Sequence, residues 1–138
     1  MTTAIVTRDL VPVDRRIDHT AALFGVHFPM QLEPYVYAVT SELSSEYRGG
    51  YWQFYALSNG GFYMAPDDDA TFSVACANGY GGGMSADALG ITACLYAYSH
   101  LSFTAGSAIA TTYARQYHLL CEYAMGHAEV AAIAAAID

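Results

Sequence analysis

The sequence predicts an α+β domain, because its hydrophobic period changes from helical to strand-like and back again. Residues 14–46 carry apolar side chains every three or four positions, as helices do. Residues 51–77 are rich in aromatic and β-branched residues around an Asn-Gly turn and an alternating stretch, as strands are. From Ser85 onward the helical period returns and holds to the end. Strands grouped between two sets of helices mean α+β rather than alternating α/β. The expected architecture is a three-stranded antiparallel meander, or a four-stranded one, packed against four or five helices. Residues 1–12 read as a loose arm and 13–138 as a single domain.

The elements follow in order. Asp14 is placed to cap a first helix, with Ile17, Thr20/Ala21 and Phe24 on one stripe and Gly25 as its stop. Pro29 marks a break. Leu32 to Glu46 reads as a second helix through Leu32, Tyr35/Val36, Val39 and Leu43, with Pro34 in the first turn. Tyr51 to Leu57 and Phe62 to Ala65 read as two strands, with Asn59-Gly60 between them as a strong hairpin signal. Pro66 to Asp69 is a turn, and Phe72, Val74 and Cys76 alternate with Thr71, Ser73 and Ala75 in a third strand. Asn78 to Gly83 reads as a flexible loop or as another hairpin turn. Ser85 caps a helix running to about Phe103, with Asp87 in the first turn where the macrodipole favours an anion. That helix is apolar nearly all round, which predicts burial at the centre. A further helix runs from about Ala108 to Met125 with Gly126 as its C-cap, and Ala128 to Asp138 reads as a short alanine-rich helix.

Composition narrows the function. The chain has 138 residues, 54% of them hydrophobic and 13% charged, which is far too apolar for disorder. Thirteen carboxylates against five arginines and no lysine give a net charge of −8. Nucleic-acid binding needs cations to displace condensed counterions, so direct sequence-specific binding of DNA or RNA is not expected. An anionic membrane is disfavoured for the same reason. Dense DNA mimicry would need a charge every ~1.7 Å along a path, which dispersed carboxylates do not supply. The N-terminus lacks an apolar core of signal-peptide length. Residues 88–114 carry no Asp, Glu, Lys or Arg but are interrupted by Ser, Thr, His and Gly, so they read as protein interior. Cys76, Cys94 and Cys121 are an odd number with no CxxC, as buried thiols in a reducing cytoplasm would be.

No recognisable catalytic or cofactor motif emerges. Gly79, Gly81, Gly82 and Gly83 lack the Lys and the βαβ setting of a phosphate loop. His118 and Cys121 are spaced as half of a zinc site, but the other half is missing. The cysteines sit in apolar neighbourhoods, which raise a thiol pKa rather than activate it. Asp67-Asp68-Asp69 is the one acidic run: a solvated turn, or a small anionic patch aimed at a basic surface. Asp138 ends a helix where the macrodipole disfavours an anion, so it either frays or meets a cation. The aromatic cluster from Tyr47 to Tyr63 must form core on one hairpin face, and it is either core alone or core with an exposed recognition face beside it. In the second reading the other face, with Tyr55 and Tyr63 as candidates, would offer exposed anchors for a partner.

The same cluster carries a family resemblance. Tyr47-Arg48-Gly49-Gly50-Tyr51-Trp52-Gln53-Phe54-Tyr55-Ala56-Leu57-Ser58-Asn59-Gly60-Gly61-Phe62-Tyr63-Met64-Ala65-Pro66 closely resembles the signature of the ArdB/KlcA antirestriction family. So do Ser85 to Ile91 and Ala132 to Asp138, and the similarity covers residues 13–138. The resemblance implies a compact α+β protein of plasmids and other mobile elements that relieves type I restriction in the cell and spares methylation. It implies no catalytic residue set and no cofactor. The partner would be a type I restriction enzyme complex, or a host DNA-processing protein coupled to it, met by a monomer or weak homodimer in the cytoplasm. Asp67, Asp68, Asp69, Tyr55, Tyr63 and Asp138 are the candidate contacts. A small hydrolase, and an acidic interaction module without an antirestriction role, are the alternatives.

Overall fold

Residues 5–138 are described by a computed structural model, in which they form five strands and five α-helices. The order is β1 (Arg8–Leu10), α1 (Arg16–Phe24), α2 (Glu33–Leu43), β2 (Trp52–Leu57), β3 (Phe62–Pro66), β4 (Thr71–Ala75), β5 (Gly81–Ser85), α3 (Ala86–Thr104), α4 (Ser107–Ala124) and α5 (Val130–Ile137). A 3-10 turn, Val13–Arg15, precedes α1, and a π-helical turn, Phe28–Leu32, leads into α2. The α+β class stands.

The sheet holds three strands, but not the expected three. β2 and β3 form the hairpin that Asn59-Gly60 predicts, with Tyr55 opposite Tyr63 and Phe54 opposite Met64. Gly60 takes the turn's positive φ of 93°. The third strand is β1, which pairs antiparallel with β2 so that Arg8 faces Leu57 and Leu10 faces Tyr55. Residues 8–11 thus leave the expected loose arm: they complete a sheet, and Val11 is buried with its N–H on Phe54 O at 2.8 Å. The rest of that arm, residues 1–4, lies outside the described residues. β4 does not join the meander. It pairs with β5 in a separate two-stranded ribbon, in register from Thr71↔Ser85 to Ala75↔Gly81. The alternative of a turn at Asn78-Gly79 is the one realised, with Gly79 at φ 95°.

What excludes β4 from the sheet is α3. The free edge of β3 faces that helix, and its carbonyls are satisfied by side chains: Tyr98 Oη donates to Phe62 O at 2.7 Å and Cys94 Sγ to Met64 O at 3.6 Å. The helix comes this close because Gly90 has no side chain. A Cβ there would lie 2.4 Å from Ala65 Cβ and 2.5 Å from Met64 O. A helix laid along a strand edge removes it as a pairing template. α3 is the central helix the composition predicts, with twelve of its 19 residues buried, and Ser85 Oγ caps it by accepting from Ala88 N at 3.2 Å.

The core joins the helices through rings. Phe24 of α1 packs at 5.8–6.2 Å between ring centroids against Phe28, Phe62, Tyr98 and Tyr113, linking α1, β3, α3 and α4. Helix ends differ in detail from the sequence expectation. Asp14 lies in the 3-10 turn and makes no capping bond, while Gly25 does stop α1, at φ 59°. α2 ends at Leu43 because Ser44 turns extended. α4 ends at Ala124 with Met125 at its C-cap, and Gly126 N then bonds Tyr123 O at 3.1 Å.

Candidate interaction site

The acidic turn between β3 and β4 is exposed at Asp67, Asp68 and Asp69. Its shape is set by two bonds: Asp67 N donates to Tyr51 O across the hairpin at 2.8 Å, and Asp68 Oδ1 accepts from Ala70 N at 2.7 Å. An Asx turn of this kind leaves the carboxylates facing water. Glu46 lies beside them on the wall of a notch of about 150 Å³ formed with Arg48, Tyr51, Asp67 and Asp68. The patch is available to a basic surface.

Tyr63 is not available to anything outside. It is fully buried, which corrects the expectation of an exposed aromatic face. That face is covered because β1 and α4 close over it. Tyr55 and Tyr123 stack on the Tyr63 ring at 5.0 and 5.7 Å, and the Arg8 guanidinium lies 4.2 Å above the Tyr55 ring. Tyr55 itself stays half-buried, so only its rim can meet a partner.

Beneath this stack lies a polar relay that the sequence reading missed. Tyr63 Oη donates to Asp87 Oδ1 at 2.7 Å, and Arg8 Nη1 donates to both Tyr63 Oη and Asp87 Oδ1 at 2.6 Å. Burial, then the charge of Asp87 and the hydrogen bond to it, raise the Tyr63 pKa far above its ordinary value, so the phenol is a neutral donor. Asp87 Oδ2 meets His127 Nε2 at 2.7 Å, while Glu129 N donates to His127 Nδ1 at 2.9 Å. That fixes the tautomer with its proton on Nε2. Glu129 closes the relay on Ser85, accepting from its N–H at 2.9 Å and from its hydroxyl. The one available signal was Asp87 in the first turn of α3, where a carboxylate is favoured by the dipole and able to collect partners.

This relay ties β1, β3, α3 and the segment after α4 together. Both nitrogens of His127 are engaged, so neither is free to take a proton from a substrate. The Ser85 hydroxyl donates to the Glu129 carboxylate and accepts from Ala88 N, so it caps α3 and ties that helix to the segment before α5. Burial pushes the Cys94 thiol up to about 12 and the Cys121 thiol upward, away from thiolate chemistry. His118 is exposed. Among the described residues no three His, Cys, Asp or Glu side chains converge as a metal site, and no helix is long and apolar enough to cross a membrane.

At the C-terminus the side-chain amide of Asn78 donates to the carbonyls of Ala135, Ala136 and Asp138 at 3.0, 3.2 and 2.7 Å. The end of α5 is therefore capped, not frayed. Its donor is a neutral amide from the β4–β5 turn, and the Asp138 residue remains exposed.

A model of the antirestriction protein family matches residues 45–138, from the end of α2 through the aromatic hairpin and the α3–α5 helices. The chain belongs to the antirestriction protein family. Two antirestriction proteins KlcA of Escherichia coli are similar to it. One is 42% identical over 135 residues, spanning 96% of this chain and 95% of the relative. The other is 46% identical over 108 residues, spanning 77% and 74%. A solved structure of the KlcA and ArdB proteins superposes over the full length of both chains, with a TM-score of 0.90 and 42% identity. Those proteins are described as having a novel fold and antirestriction activity against type I DNA restriction systems in vivo but not in vitro. The ArdB/KlcA resemblance of the aromatic hairpin and the α+β class are thus both borne out, and the antirestriction protein described above shares the arrangement of helices and sheets of that solved fold.

Proposed function

We propose that this protein relieves restriction of incoming DNA by type I systems in the cytoplasm, without blocking methylation, by docking on another protein rather than by catalysis. The observation that carries the reading is the full-length likeness, at 42% identity, to KlcA and ArdB. Activity in vivo but not in vitro, as described for those proteins, is what an inhibitor needing a further cellular component would show. The partner is the restriction–translocation machinery or a host DNA-processing protein coupled to it. The net charge of −8 supports a basic protein surface as the target and opposes phosphate binding. The exposed carboxylates of Asp67, Asp68 and Asp69 and the Tyr55 rim are the contacts proposed, with the exposed Asp138 next to the capped end of α5 as a further one.

Plating unmodified phage on cells with a type I system tests this directly. Expression of the protein raises plating efficiency, while the methylation state of surviving phage stays as the host's modification activity sets it. Equal plating with and without the protein would falsify the reading. Pull-down from the same cells then separates the enzyme complex from a host factor as the bound species.

A further inference from the structure

A second cleft lies away from the relay and the acidic turn, between α2, α3 and the β4–β5 ribbon. It encloses about 320 Å³. α2 supplies Tyr35, Val39 and Glu42, which fall on one face because they are spaced by four and three. α3 supplies Tyr96 and His100, one turn apart. The floor is Ala75 and Ala77, and two methyl groups there leave the space open. The Tyr35 and His100 rings stack at 5.0 Å with only 6° between their planes. Tyr96 is held in the wall by its hydroxyl, which donates to Ala136 O.

Two tyrosine rings, an imidazole stacked on one of them and one carboxylate line the slot, a set suited to a flat cation. Glu42 is exposed and makes no ion pair among the described residues. Its field reaches the cleft: burial first, and then the Glu42 charge, raise the pKa of the Tyr35 phenol. We propose that the cleft formed by Tyr35, Glu42, Tyr96 and His100 receives an arginine side chain of the partner protein. The guanidinium lies flat beside the tyrosine rings of the cleft and forms its paired N–H bonds with Glu42. An ammonium group fits the charge but not the plane. A phosphate fits neither Glu42 nor the net charge. The inference rests on the docking function proposed above, to which it adds a site and the chemistry of the side chain recognised.

The test uses the whole protein and acetyl-arginine amide as the probe, followed by NMR. The citrulline counterpart, of the same shape without the charge, is the control. The arginine probe is expected to perturb the Tyr35, Tyr96 and His100 rings, the citrulline probe to leave them unchanged, and Glu42→Gln to weaken binding about tenfold. Tyr35→Phe retains the ring and should retain binding, whereas Tyr35→Ala should lose it. No perturbation at these rings overturns the proposal, and so does equal binding of citrulline. Ring shifts that depend on protein concentration without probe identify a second copy as the occupant and overturn it too. Phage plating with Glu42→Arg supplies the cellular arm: a folded variant that has lost protection supports docking here, and one protecting like the parent overturns it. Failure of the parent itself to protect phage sinks the proposed function instead, whatever the probe does.

Discussion

Trp52 is 3% exposed, and the indole does two things at once. Its ring packs edge-on against Tyr37 and Tyr47, at 5.2 and 5.8 Å, and its Nε1–H donates to Tyr47 Oη at 2.8 Å. Trp52→Ala therefore removes a large buried surface and leaves a phenol without its donor. The expected loss is about 3–5 kcal/mol, read from denaturant unfolding. A midpoint equal to the parent's would mean the site collapses without cost. The acidic turn behaves oppositely. Asn at 67, 68 and 69 keeps the Asp68 bond to Ala70 N, because an amide oxygen accepts as a carboxylate does. The triple Asp→Asn variant should melt within a few tenths of a kcal/mol of the parent, since these are solvated surface charges. Its antirestriction should weaken if the patch meets a basic partner; full protection in the plating assay would remove the patch from the interface.

Elements whose ends carry a chemical marker were legible in the sequence. Ser85 before an apolar run gave α3, Gly25 the end of α1, and Asn59-Gly60 the β2–β3 hairpin. β1 and β5 carried no such marker. β1 is a short edge strand of which all three residues are exposed, so its sequence shows no alternation. β5 begins Gly-Gly-Gly, which has no strand preference, and the side chains crowding Gly82 and Gly83 are visible only in three dimensions. A Cβ on Gly82 would sit 2.6 Å from Tyr80 Oη, and one on Gly83 would sit 3.2 Å from Thr71 Cγ2. The relay was illegible for a related reason. Arg8, Tyr63, Asp87 and His127 come from four different parts of the chain, and no spacing rule links them. The relay clamps β1 to α3 and to the corner after α4. Asp87→Ala should therefore loosen β1 first. Amide exchange at Val11 and Ser58, whose N–H groups bond Phe54 O and Thr7 O, should accelerate about tenfold or more before global stability changes to match. Uniform acceleration across α3 as well would show that Asp87 serves the whole fold rather than this strand.

Across the whole molecule, twelve tyrosines in a chain of net charge −8 set a limit at alkaline pH. The buried phenols act as donors that join separate layers. Tyr98 Oη bonds Phe62 O, Tyr113 Oη bonds Gln31 Oε1 at 2.8 Å, and Tyr63 Oη bonds Asp87. Burial pushes Tyr113 up from 10.0 to about 12, and pushes Tyr98 well above its ordinary value. Burial also lifts Cys94 from 9.0 to about 12, against a smaller opposing effect of its bond to Met64. Each of these groups binds its proton more tightly folded than unfolded. Their contribution is fully present below the unfolded pKa and is lost as pH rises toward and through the folded value. The window thus opens at about pH 9 with Cys94 and widens at about pH 10 as tyrosines of the unfolded chain ionise. Added negative charge on a protein already at −8 acts in the same direction. The melting temperature should hold nearly constant between about pH 7 and pH 8.5 and then fall with increasing steepness to about pH 11.5. Salt should recover part of the loss, because it screens repulsion between surface charges but not the cost of a buried phenolate. Tyr113→Phe removes one donor and one titrating group, so its melting curve should lie lower near neutrality and lose less on going alkaline. Parallel curves for the two proteins would mean that Tyr113 ionises as freely in the folded chain as in water.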